Sequence, residues 1–194
     1  MVLKIRNLKY REFCFDYEFC FSGLNIIQDV SYTGKSTLLQ LIAGFLQPED
    51  GEVIYKGQDL LKVPVAKRPV SLIFQEDNLF PDMCCYMNIA SGLHSVDMTD
   101  SIRDVIDYYM HTWGLLKHKS KKPHELTEIE CKYTAIVRGL VRANVLQKSL
   151  ILVDEPDDYA IHHINKERVD AIVAVNSSPN RSRIPMSRIN HEPI

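Results

Sequence analysis

Gly34, Lys35, Ser36 and Thr37 close the pattern G-x-x-x-x-G-K-[ST], and each residue type in it has a use on a polyphosphate. Consecutive backbone N–H groups ahead of the lysine curl around phosphate oxygens. The ammonium of Lys35 reaches the terminal phosphates, and the hydroxyl of Ser36 holds Mg²⁺. The N-terminus of the following helix adds positive potential. A second group stands far downstream. In "SLILVDEP" (149–156) four apolar residues carry Asp154 and Glu155 to a strand end. There the aspartate can hold Mg²⁺ through water and the glutamate can polarise an attacking water. Two acids at a strand terminus are also an ordinary solvated end, and it is their pairing with the upstream quartet that favours the chemical reading.

These groups need elements to position them. "VLKIR" (2–6) and "EFCFSGLNIIQ" (18–28) are rich in β-branched and aromatic residues, and each predicts a strand. After the quartet, Leu38, Leu41, Ile42 and Phe45 recur at i, i+3, i+4, i+7, which predicts a helix with one buried face. Val53 and Tyr55 alternate between Gly51 and Gly57, predicting a short edge strand. "RPVSLIFQ" (68–75) suits a central parallel strand buried on both faces. Residues 99–116 repeat apolar side chains at helical spacing behind Thr99 and Asp100. A further helix is expected from Thr127, capped by that residue with Glu130 completing a capping box, and with Ile129, Tyr133, Ile136 and Leu140 facing inward. "RVDAIVAV" (168–175) predicts a last strand. Alternating strands and helices give an α/β fold with a mainly parallel sheet, whose ligands gather at the carboxyl ends of the strands.

The bulk composition narrows the partners. The chain has 194 residues, 45% hydrophobic and 25% charged, with a formal net charge of -2, so no global field favours nucleic acid or anionic lipid. The five cysteines, Cys14, Cys20, Cys84, Cys85 and Cys131, lack zinc-type spacing and are expected as reduced thiols. No apolar run reaches the roughly 18 residues of a membrane span.

The order and spacing of "GKSTLLQLIAGFLQPEDGEVIYKGQDL", "RPVSLIFQEDNLF" and "SLILVDEP" resemble the nucleotide-binding subunits of ABC transporters, and the middle stretch is most similar to those that power bacterial thiamine import. The likeness covers roughly residues 1–178. It implies a P-loop NTPase fold with an antiparallel edge and a small helical subdomain at about 80–142, followed by a polar tail at 179–194. It also implies ATP and Mg²⁺ as cofactors, and a cytoplasmic subunit that is peripheral on the membrane. Its partners would be an integral-membrane permease and a second ABC ATPase, either itself or another. The loop of Asp29, Ser31, Tyr32, Thr33, Gly34, Lys35, Ser36 and Thr37 would hold the nucleotide. Gln75 would join Mg²⁺ and the attacking water to the permease-contacting lobe, making Glu155, Lys35 and Gln75 the catalytic set and Ser36, Gln75 and Asp154 the metal set. Tyr10 would stack on adenine or stand as a surface strand tyrosine. Leu79 and Phe80 would line the groove for the permease's coupling helix or belong to the core of the lobe.

The sequence also departs from that family pattern. Asp29 replaces the first glycine of the loop, and Tyr32 stands where a small residue is usual. A carboxylate about 6 Å from a phosphate charge costs on the order of 2–3 kcal/mol at an effective dielectric near 20, roughly a hundredfold in affinity. The segment that reads the partner's terminal phosphate in the family, leucine-serine-glycine-glycine-glutamine, aligns with Leu126, Thr127, Glu128, Ile129 and Glu130. Asn176 and Ser177 stand where a phosphate-contacting histidine is expected, and His162 and His163 are placed on an exposed turn. Three functions follow as expectations: an ATP-hydrolysing importer subunit, a degenerate structural or regulatory partner that does not hydrolyse ATP, and a small-molecule kinase. The kinase reading leaves "FQEDNLF" unexplained.

Overall fold

The computed structural model describes residues 2–20, 24–29, 34–76, 78–94, 96–147, 149–167 and 169–176; for Gln28, Asp29 and Asn176 it describes the backbone alone. Two four-stranded sheets carry the chain. The first is antiparallel, in the order β2-β1-β4-β5, from β1 (Val2–Tyr10), β2 (Phe13–Cys20), β4 (Asp50–Tyr55) and β5 (Gln58–Asp59). The second is parallel, in the order β3-β8-β7-β6, from β3 (Leu24–Asp29), β6 (Val70–Ile73), β7 (Leu150–Asp154) and β8 (Asp170–Asn176).

The period-two alternation of the parallel strands decides what packs on each face. Leu150, Leu152, Ile172 and Ala174 point to the side of α1 (Lys35–Ala43) and share a core with Leu3, Ile5, Phe15, Phe19 and Val53 of the antiparallel sheet. Ile151, Val153, Ala171 and Val173 point the other way, into a core built with α2 (Cys85–Ala90), α3 (Asp100–Thr112), α4 (Glu128–Leu146) and α5 (Asp158–Lys166). The layers are therefore antiparallel sheet, α1, parallel sheet and helices. This is the α/β architecture expected from the sequence, with the antiparallel strands forming a sheet of their own.

Local chemistry sets the element ends. In β1 the inward series Leu3, Ile5 skips to Leu8 because the register shifts there, with Asn7 at φ 47 and its N–H donating to Asp16 Oδ1 at 3.0 Å. Helix α1 stops at Gly44, which has φ 92 and whose N–H donates to Gln40 O at 2.8 Å. The buried Arg68 guanidinium lies where a Cβ on Gly44 would sit, and it donates to Ile42 O at 2.9 Å and Leu41 O at 3.3 Å. A cation on the carbonyls of the last turn also suits the helix dipole. Thr99 caps α3, and Thr127 with Glu130 forms the expected capping box on α4.

Several expectations need correction. Residues 18–28 are not one strand: they hold the end of β2 and most of β3, in different sheets, with Ser22 and Gly23 between the two apolar stretches. The strand of Val53 and Tyr55 is interior, flanked by β1 and β5, with both side chains buried. The expected central strand, β6, is outermost among the described parallel strands, and only Ile73 of it is fully buried. Phe45 falls beyond the end of α1, is 60% exposed, and meets Phe74 edge-on at 5.1 Å. On α4, Ile136 and Leu140 face inward as expected, but Ile129 is 48% exposed because the first turn overhangs the core. His162 and His163 lie on α5, where His163 stacks on Tyr159 at 3.9 Å. The five cysteines are free thiols, as expected. Residues 177–194, including the predicted polar tail, lie outside the described residues.

Candidate functional site

All four parallel strands deliver their carboxyl ends to one edge of the sheet. β3 ends at Asp29 paired with Asn176 of β8, β8 pairs with β7 so that Ala174 opposes Asp154, and β6 ends at Ile73 opposite Val153. Asp29, Asp154, Glu155 and, two residues past β6, Gln75 thus leave the sheet on the same side. Ser31, Tyr32 and Thr33 of the predicted loop lie outside the described residues, as does the side chain of Asp29.

The loop re-emerges at Gly34, the cap residue of α1, with φ 70. A Cβ there would come within 2.9 Å of the Phe13 ring and 3.0 Å of Phe15, so the left-handed backbone and the aromatic wall both call for glycine. Gly34 offers no side chain to the first-turn N–H groups of α1, which keeps them suited to an anion. Lys35 is only 8% exposed, Ser36 is exposed and Thr37 partly buried.

Asp154 is 7% exposed, and its Oδ1 has no hydrogen-bond partner among the described residues. A buried carboxylate oxygen without a donor is costly, and a hard divalent cation with oxygen ligands would satisfy it. Asp154 therefore fits a magnesium ligand. Glu155 follows with φ 50, left-handed for a non-glycine residue. Its N–H donates to Ala174 O at 2.9 Å and its carbonyl accepts from Lys132 Nζ of α4. Burial pulls the Lys132 ammonium below the ordinary lysine range, against the attraction of Asp157, Asp154, Glu155 and Glu128. Asp157 caps α5, accepting from Ala160 N at 2.7 Å. Burial, together with Asp157, raises the phenol of Tyr133 above its ordinary value.

Gln75 is exposed on a bend whose shape is set by Asn78: the amide donates to Phe74 O at 2.8 Å and accepts from Phe74 N at 2.7 Å. The following turn is built around Asn88, fully buried, which accepts from Phe80 N and donates to Phe80 O and Met83 O. A groove of about 640 Å³ opens beside Gln75, with Leu79, Pro81, Glu128, Cys131 and Lys132 among its lining. Leu79 lines this groove and also packs against the helical core, while Phe80 is 51% exposed under the Arg138 guanidinium.

Tyr10 ends β1 with the Arg11 guanidinium 5.3 Å from its ring centre. The aromatic against Gly34 is Phe13, stacked on Phe15 at 5.7 Å. The sequence reading missed it, and only its place in the aromatic alternation Phe13, Phe15, Tyr17, Phe19 pointed to it. Lys132 was missed as well. At the start of α4 the capping box is closed: Glu130 Oε2 accepts from Thr127 N at 2.8 Å, and its Oε1 lies 2.9 Å from His118 Nε2.

A family model described as "ABC transporter" matches residues 31–158. The thiamine import ATP-binding protein ThiQ of Mesorhizobium japonicum is 34% identical over 164 residues, covering 84% of this chain and 63% of that protein. The protein of the same name from Salmonella typhimurium is 39% identical over 127 residues, covering 65% and 52%. The spermidine/putrescine import ATP-binding protein PotA of Protochlamydia amoebophila is 34% identical over 124 residues, covering 63% and 32%. The chain thus spans less than two thirds of the length of these relatives. Among solved structures, cbiO1 of Clostridium perfringens, described as part of the ABC transporter complex cbiONQ, superposes with a TM-score of 0.70 at 20% identity, covering 90% of this chain and 78% of that one. That likeness is one of fold.

Proposed function

The chain belongs to the ABC transporter family, and from that premise we propose that it is the ATP-binding and ATP-hydrolysing subunit of an importer, acting on a membrane permease. The observation that carries this reading is Asp154: a buried carboxylate with an unpartnered oxygen, at the sheet edge where β3 leads toward Lys35. In this reading Lys35 and the N–H groups of the first turn of α1 bind the phosphates. Ser36, Asp154 and Gln75 hold Mg²⁺, which supplies charge neutralisation to the transferring phosphoryl group. Glu155 polarises the attacking water. Phe13 or Tyr10 gives the adenine an aromatic face.

The groove beside Gln75, with the exposed Phe80 next in sequence to its lining residues Leu79 and Pro81, suits a permease helix docking on the cytoplasmic side. No described helix is long and apolar enough to cross a membrane, so membrane association would come through that partner. Thiamine is the transported substrate we propose, on the strength of the relatives' names. Asp29, ending β3, weakens nucleotide binding without abolishing it. The test is titration with labelled ATP and Mg²⁺, then phosphate release in the same sample. Lys35→Ala should lose binding, and Glu155→Gln should bind ATP without turnover. Phosphate release unchanged in both variants would refute the assignment.

One observation favours a second reading. The first turn of α4, which in the family faces a partner's nucleotide, is closed by its own Glu130 and carries Glu128 as well. An N-terminus satisfied in this way repels a phosphate, as expected of a subunit that pairs with an intact ATPase and contributes structure. Turnover near 1 s⁻¹ by the purified chain alone would exclude it.

A further inference from the structure

We infer that Lys132 is a positioning residue for Glu155, holding the glutamate's backbone from the helical layer so that its carboxylate is presented to the site only while α4 is seated on the sheet. The inference rests on the reading of Glu155 as the water-polarising residue. Glu155 is the first residue after β7, and its φ of 50 is one that a side-chain-bearing residue adopts only when its surroundings over-determine it. Two contacts do so. Its N–H is fixed inside the sheet by Ala174 O, and its carbonyl is fixed from outside by Lys132 Nζ. The peptide groups on either side of the Glu155 side chain are thus held by two different layers.

Lys132 suits this task because of where it stands. It is the fifth residue of α4, past the capped first turn, so its stem leaves a helix whose start is braced by Thr127 and Glu130. It lines the same groove as Gln75, between the helical layer and the sheet edge. The carboxylates of Asp157, Asp154, Glu155 and Glu128 all attract its head, yet Nζ donates to a backbone carbonyl. A cation that merely balanced charge has carboxylates available to it. This one grips the main chain at the strained residue. A movement of α4 relative to β7 would therefore act on Glu155 directly, without any change in the phosphate-binding loop.

Two variants test this in the full chain. Lys132→Met keeps the stem and removes the donor, and Lys132→Arg keeps a donor of similar reach. Without nucleotide, amide exchange at Glu155 should be about tenfold faster in Lys132→Met, the equivalent of losing one charge-assisted hydrogen bond, and near wild type in Lys132→Arg. With ATP and Mg²⁺, Lys132→Met should lower kcat about tenfold at unchanged KM, and Lys132→Arg should recover most of it. Unchanged exchange at Glu155 in Lys132→Met would overturn the inference, as would a loss that appears in KM alone. A lysine acting only through its charge on Asp154 would instead shift the Mg²⁺ concentration for half-maximal turnover and leave exchange unaltered, which also overturns it. Absence of turnover in the wild type would refute the ATPase reading, while the exchange measurement still decides the role of Lys132. Should Lys132→Met not fold, slowed kcat and faster Glu155 exchange in Lys132→Gln, whose shorter stem withdraws the donor, carry the same decision.

Discussion

Replacing Asp154 by asparagine should make the nucleotide-free protein more stable and its magnesium–nucleotide complex weaker. The carboxylate is 7% exposed, and Oδ1 has no hydrogen-bond partner among the described residues. Leaving such an oxygen unsatisfied costs roughly 1–3 kcal/mol. Asparagine has the same shape and no charge, but one of its amide atoms stays unpartnered and the attraction to Lys132 is lost. The net gain is therefore about 1 kcal/mol, at the low end of that range. For a chain of this size it corresponds to a rise in Tm of about 2–4 °C. Ligand linkage then runs the other way. Magnesium and ATP at about a hundred times Kd stabilise the wild type by about 2.7 kcal/mol, or roughly 5–10 °C, and most of this should vanish in Asp154→Asn. Thermal unfolding with and without Mg²⁺ and ATP reads both effects in one series. A lower apo Tm in Asp154→Asn, or a magnesium-dependent shift equal to that of the wild type, would refute the reasoning.

Gly34→Ala should cost about 1–2 kcal/mol for the left-handed backbone alone, and more from overlap with Phe13. Combining it with Phe13→Ala should recover only the overlap, which a double-mutant cycle in urea measures. Arg68→Met should lower stability by about 2–4 kcal/mol, because the carbonyls of Leu41, Ile42 and Val63 lose a buried donor; a urea midpoint unchanged from wild type would contradict it. Glu130 is held below its ordinary value of 4.5, first by the N–H of Thr127; burial, the next largest effect, opposes this, and the Thr127 hydroxyl, His118 and Lys121 add to the lowering. Its stabilising charge is thus fully present above about pH 4.5 and is lost as pH falls through the depressed folded value. Glu130→Gln should therefore be less stable than wild type at neutral pH, with the gap closing toward pH 3 in pH-dependent unfolding.

Features whose causes lie within a few residues of chain were legible in the sequence. The cap at Thr127 and Glu130, the start of α3 at Thr99 and the apolar strand ending at Asp154 all come from side chains acting on neighbouring backbone. The edge of the sheet holding Gln75, Asp154 and Glu155 was legible too, because parallel strands bring their carboxyl ends together whatever their order. Strand order itself was not. Whether Val53 sits at an edge depends on β5, a two-residue strand with no apolar pattern, and whether 68–75 is central depends on which strands lie beyond it. The contacts of Phe13 and Lys132 were not legible for a related reason. Phe13 matters only once the β1–β2 hairpin folds over Gly34, and Lys132 meets Glu155 across 23 residues of sequence.

Helix α4 bears cations that reach the main chain of the sheet layer and the Gln75 bend. Lys132 holds Glu155 O, Arg138 holds Asn78 O at 2.7 Å, and Arg142 holds Val70 O and Arg68 O at 3.3 Å each. Arg142 also donates to the hydroxyls of Ser71 and Ser149, so α4 is tied to the course of the chain at β6, the Gln75 bend and the end of β7 in addition to its apolar packing on the sheet. Burial holds both arginines below their ordinary value, which reflects how little water shares these contacts. A shift of α4 large enough to free any one of these four carbonyls would also disturb the other three. The bend carrying Gln75 and the strained residue Glu155 are thus tied to the same helix, while α1 packs on the opposite face of the sheet. On the importer reading proposed above, that division keeps the helix assigned to phosphate binding on one face of the sheet and ties the groups assigned to respond to a partner to a single helix on the other.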